Sequence, residues 1–104
     1  MNQVREFLKL PAPTDFNGTG VTVAVIDTGI DQAHPDLLGR ISPKSRSLAD
    51  FDARLIDEVG HGTHVAGIIA GTGAASAGKY VGVSPGATVL ALRVSTDGNA
   101  YSDT

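Results

Sequence analysis

Two side chains in this sequence have the type and setting for acid–base chemistry. His61 opens the stretch His61-Gly62-Thr63-His64-Val65-Ala66-Gly67, a run of small and apolar residues with helical character. Asp27 closes the run Val21-Thr22-Val23-Ala24-Val25-Ile26, which is β-branched and apolar. A carboxylate beside an imidazole fixes the ring's tautomer and stabilises its protonated form. A helix N-terminus acts the other way, because its partial positive charge disfavours a cation. A histidine held between the two suits a base that is neutral at rest and charged in a transition state. Asp27 and His61 are two thirds of a nucleophilic triad, in an order that leaves a serine to follow. No serine in a nucleophile's setting follows before Thr104. Position alone leaves Asp27 open to an ordinary role at a strand-to-loop turn.

Other groupings compete with this reading. His61 and His64 stand at i and i+3, and His34 and Asp36 could add metal ligands. The spacing is one short of the i, i+4 pair of a zinc protease helix, and no Glu lies between them. His64 is therefore expected to be a packed helix residue. Gly73 to Tyr80 nearly spells a phosphate-binding loop, but it follows a helix and ends in Tyr80 rather than Ser or Thr. Gly82-Val83-Ser84-Pro85-Gly86 spells G-x-S-x-G. A nucleophile elbow needs a backbone N–H after its serine, and proline has none.

The elements that must position Asp27 and His61 follow from local pattern. Residues 1–17 read as a lead-in, with a short helical turn over Val4 to Leu10 stopped by Pro11 and Pro13. Val21 to Ile26 is predicted to be a strand buried on both faces. A weak strand is expected within Arg40 to Ser47. His61 to Ala70 is predicted to be a helix despite Gly62 and Gly67, and a helix that accepts two glycines usually approaches a neighbour closely. Gly71 to Gly78 is a loop and Ala87 to Val94 a second strand. Asp97-Gly98-Asn99 is a turn, and Ser102 suits a helix N-cap. Strand, helix, strand at this spacing makes a βαβ unit, whose crevice lies beyond the carboxyl ends of the strands.

Composition narrows the partners. The 104 residues suit one domain or part of one. Eight basic against eleven acidic residues give a net charge of -3, which argues against nucleic-acid binding. There is no Cys, hence no disulfide framework or thiolate chemistry. No signal peptide is visible in residues 1–17. No apolar run approaches the ~20 residues of a membrane span.

Three blocks resemble the subtilisin-like serine proteases (subtilases). They are Val23-Ala24-Val25-Ile26-Asp27-Thr28-Gly29-Ile30-Asp31 with His34-Pro35-Asp36-Leu37; Gly60 to Gly67; and Gly82 to Ala87 leading into the strand to Val94. The resemblance covers roughly residues 18–104. It implies an α/β fold: part of a doubly wound, Rossmann-like parallel sheet in a three-layer αβα arrangement. Residues 18–104 would be the N-terminal half of a catalytic domain. The implied activity is serine-type endopeptidase, with Asp27 as catalytic aspartate and His61 as general base. Gly98, Asn99 and Ala100 match the stretch that pairs with an extended peptide substrate, and Tyr101 lies near a side-chain pocket.

The resemblance implies no cofactor for the chemistry. Asp36 matches a position that binds calcium in some members, but Gly71 to Tyr80 does not match their calcium loop. The implied partners are a peptide or protein substrate and the missing C-terminal half of the domain, and the implied setting is secretion. The family's oxyanion-hole Asn and Gly-Thr-Ser nucleophile block have no match here, so this chain alone is expected to be inactive. A non-catalytic fragment and a metal-dependent hydrolase are the alternatives.

Overall fold

The computed structural model describes residues 7, 9, 17–49 and 52–99. Apart from Phe7, Lys9 and Asn17, the lead-in lies outside them, and with it most of the expected helical turn. So do Ala100, Tyr101 and Ser102.

Strand β1 spans Thr22–Asp27. A 3-10 turn at Pro35–Leu37 follows, then the two-residue strand β2, Arg46–Ser47. Helix α1 is His61–Ala70, a second 3-10 turn is Ala74–Ser76, and β3 is Thr88–Arg93. The three strands form a parallel sheet in the order β1-β3-β2. β1 and β3 pair from Thr22↔Thr88 to Asp27↔Arg93, so their carboxyl ends finish level.

The weak strand is split in two. Ile41 bridges to Val89, and Arg46–Ser47 pairs with Leu92 and Arg93. Pro43, which cannot donate to a ladder, lies in the interruption. There the Ser45 hydroxyl replaces a backbone carbonyl and accepts the Ala91 N–H at 2.9 Å.

α1 packs on one face of the sheet. Ala66 and Ala70 meet a core of Val25, Ile30, Leu37, Ala87, Val89 and Ala91. The expected burial of β1 on both faces is not found among the described residues. Val25 is buried, while Thr22, Ala24 and Ile26 on the other face are exposed, Ile26 by 64%. The described residues contain no layer over that face.

The expected close approach holds for one helix glycine and fails for the other. A Cβ on Gly62 would collide with the Gly29 carbonyl oxygen, whereas nothing lies within 4 Å of one on Gly67. The far end of α1 is closed by backbone donors: Val83 N–H to Ile68 and Ser84 N–H to Ile69, at 2.9 and 2.7 Å.

The segment leading into α1 is pinned from several sides. Buried Arg93 pairs with Asp52 at 2.9 Å and donates to the Arg54 carbonyl at 2.9 Å. Ile30 N–H donates to the Leu55 carbonyl at 3.0 Å. Arg54 and, behind it, Arg93 hold the Asp52 carboxyl well below the usual carboxylate range.

Candidate active site

Level strand ends bring the end of β1 and the turn after β3 together, and α1 begins beside them. The result is a cleft of about 340 Å³ lined by Ile26, Asp27, Thr28, His61, Val94, Ser95, Gly98 and Asn99. Val94 N–H donates to the Asp27 carbonyl at 2.9 Å, which fixes the cleft floor.

His61 Nδ1 lies 2.8 Å from each carboxylate oxygen of Asp27. A carboxylate only accepts, so Nδ1 carries the proton and Nε2 is left as the acceptor. Asp27 Oδ1 also accepts the Thr28 N–H at 2.7 Å, which orients the carboxylate. The Asp27 side chain is 16% exposed and that of His61 65%. A carboxylate thus holds an imidazole whose far nitrogen is accessible, as a general base requires.

Gly98 and Asn99 line the same cleft. Their turn is tied by side chains: Gly98 N–H donates to Ser95 Oγ at 3.0 Å, and Asn99 N–H to Asp97 Oδ1 at 2.9 Å. Ala100 and Tyr101, read as their companions, lie outside the described residues. Ser95 faces the cleft but is 7% exposed, and its hydroxyl serves this turn.

The other sequence candidates separate. His64 is exposed rather than packed, which corrects the expectation. It lines a different cavity, of about 490 Å³, together with His34, Asp36, Thr63 and Tyr80. The buried stripe of α1 is Gly62, Ala66 and Ala70. His64 stands two residues from Gly62, about 160° away around the helix. Ser84 bonds the opposite end of α1 from His61, eight residues or ~12 Å along the axis.

Asp36 is tied to the loop after α1. Its Oδ1 accepts the Ala75 N–H at 2.7 Å. Among the described residues no group of three His, Cys, Asp or Glu could hold a metal ion.

Sequence reasoning passed over Asp57 and Thr28. Asp57 Oδ1 accepts from the Thr28 hydroxyl at 2.8 Å, Val59 N–H at 3.2 Å and Gly60 N–H at 2.7 Å. Its Oδ2 accepts from Thr63 N–H at 2.8 Å and the Thr63 hydroxyl at 2.6 Å. Thr28 Oγ1 accepts the Gly62 N–H at 2.9 Å. Partial burial would raise the Asp57 carboxyl. The donors from Thr63, Gly60 and Thr28 outweigh it and hold the carboxyl at about 2. The available signal was an acidic residue shortly before a helix start whose N-cap residue, Gly60, has no side chain.

Comparison with known proteins agrees with this geometry. The model of the subtilase family matches residues 18–104. Serine protease AprX of Bacillus subtilis (strain 168) is 47% identical over 79 residues, covering 76% of this chain and 17% of its own length. An intracellular serine protease of Paenibacillus polymyxa is 45% identical over 92 residues, covering 82% of this chain and 27% of its own. Among solved structures, Sphericase superposes with a TM-score of 0.72 at 33% identity, over 83% of this chain and 29% of that one. The chain belongs to the subtilase family, whose members here are serine-type peptidases. It takes up part of their α/β, three-layer αβα fold. It spans 17% to 31% of the length of relatives such as AprX and thermitase. The relatives include an alkaline serine exoprotease as well as an intracellular protease, so membership assigns no compartment.

Proposed function

We propose that this chain supplies the acid–base half of a serine endopeptidase site. His61 Nε2 takes the proton of a serine hydroxyl as that oxygen attacks the scissile carbonyl, then gives it to the leaving amine. Asp27 holds the ring in its Nδ1–H tautomer and stabilises the imidazolium. The stretch from Gly98 to Ala100 pairs with the backbone of an extended substrate, as strand addition to an exposed edge, and Tyr101 belongs to a nearby side-chain pocket. The single observation that carries the reading is the two-oxygen contact of Asp27 with His61 Nδ1 inside a subtilase match.

The nucleophile and the oxyanion donors come from sequence beyond residues 1–104. The short share of each relative that the chain covers supports this, as does the uncovered sheet face with Ile26 and Val94 exposed. Residues 1–104 alone therefore have no peptidase activity. The test is a polypeptide extended to carry the remaining domain. It should hydrolyse a peptide substrate and lose that activity to a serine-directed phosphonate. Hydrolysis indifferent to the reagent would overturn the assignment.

A further inference from the structure

We propose that Asp57 is a positioning residue for the Asp27–His61 pair, acting through the first turn of α1 and through Thr28. The inference rests on the peptidase reading above.

The first N–H groups of a helix have no partner within it. The N-cap residue of α1 is Gly60, in the left-handed region at φ 98° and without a side chain to bond them. Asp57 takes over that role from three residues upstream. It accepts the Gly60 and Thr63 N–H groups, while Thr28 Oγ1 accepts that of Gly62. Thr28 is 2% exposed, and its hydroxyl is used in both directions: it accepts from Gly62 and donates to Asp57. The same residue's N–H orients the Asp27 carboxylate. One carboxylate thus joins the start of the element bearing His61 to the residue that aims Asp27, and it touches neither partner.

Its charge fits the same role. A negative charge at a helix N-terminus offsets the partial positive charge there, and it is this positive end that opposes an imidazolium at His61. Charge and geometry both require the ionised form. Three donors converge on Oδ1 and two on Oδ2. An amide in either orientation would present its NH2 to donors and lose at least two of the five bonds.

A role in positioning differs measurably from a role in stability alone. The rest of α1 is held by Ala66 and Ala70 in the core. Asp57→Asn should therefore loosen the first turn and leave the helix folded. In the extended, catalytically complete protein, active sites are counted by burst titration with a fluorophosphonate. We expect kcat per titrated site to fall about 10–100-fold, the cost of misplacing a catalytic group by up to ~1 Å, with KM within about twofold. An unchanged kcat per site, with only fewer sites, would overturn the inference. Should Asp57→Asn fail to fold, Thr28→Val and Thr28→Ser decide. Thr28→Ser retaining more kcat than Thr28→Val supports the relay, and Thr28→Val at the wild-type kcat overturns it. Asp27→Asn in the same protein separates the two claims. If it leaves kcat intact, the peptidase reading fails; if it lowers kcat and the Asp57 and Thr28 variants do not, only this inference fails.

Discussion

Gly62→Ala sets two physical effects against each other. Alanine favours a helix interior by about 1 kcal/mol over glycine. Propensity alone therefore makes the substitution stabilising. The structure opposes it, because the new Cβ would drive into the Gly29 carbonyl oxygen, with Gly29 N and Thr28 Oγ1 each 3.2 Å away. Gly29 has little room to yield. Its φ is 109°, and the Leu55 and Ile56 carbonyl oxygens crowd the side where a Cβ on it would stand. The first turn of α1 must retreat by about 1 Å, and a misplacement of that size costs on the order of 100-fold in rate. Overpacking adds a loss of about 1–3 kcal/mol, which outweighs the propensity gain. Gly67→Ala is the control, because open space surrounds its Cβ position. It should gain up to ~1 kcal/mol and keep its rate within about twofold. The assays are denaturant midpoints and kcat/KM on a chromogenic peptide, both in the catalytically complete protein. If Gly62→Ala matched Gly67→Ala in both, the contact between α1 and the end of β1 would not be what sets His61.

Four further outcomes follow from the same contacts. Asp27→Asn should lower kcat by roughly 10,000-fold with the fold retained, the scale of that change in Ser-His-Asp proteases generally; stopped-assay kinetics check it. Asp52→Ala should lower the denaturation midpoint more than Arg93→Met, because the first leaves a buried guanidinium without its carboxylate and the second removes the charge itself. The Asp57 carboxyl is held at about 2, below its ordinary 3.8, so its contribution is full above pH 3.8 and is lost as pH falls toward 2. That loss should be about 1–2 kcal/mol after solvent screening, and acid titration of Asp57→Asn should lack it. Residues 1–104 in isolation should be marginal or should associate, since one sheet face lacks its cover; a sharp, concentration-independent monomeric transition would contradict this.

The parts of the fold written in local pattern were legible. The predicted helix, His61 to Ala70, is α1 itself, and the predicted strands match β1 and β3 to within a residue at each end. Asp27 and His61 were legible as a pair for a geometric reason. Each sits where an element begins or ends, and parallel strands joined through a helix bring those ends to one side. His64 was misread because the buried stripe of α1 is written in Gly62, Ala66 and Ala70. Small residues leave a faint hydrophobic signal, while the bulkier Ile68 is 38% exposed. The double burial of β1 was read from composition, which reports what a strand is suited to contact. Coverage of its second face depends on residues other than those described.

What remained illegible is polar and long-range. Thr28 reaches Asp57 across 29 positions, and Arg93 reaches the Arg54 carbonyl across 39. No periodicity encodes such pairs, because each depends on where two loops meet after folding. On the positioning role proposed for Asp57, the bonds at Asp57 and Thr28 act beside the Gly62–Gly29 contact to orient His61. Among the described residues, four of the eight core residues are alanines, which bury little area and fix few angles. A core of that kind holds α1 against the sheet without by itself fixing the direction of each side chain on it. The hydrogen bonds at Asp57 and Thr28 are directional and remove that freedom where the imidazole is attached. The division of labour makes stability and alignment separable. Damage to the alanine core should unfold this region, and damage to the Asp57–Thr28 bonds should leave it folded with His61 misaligned.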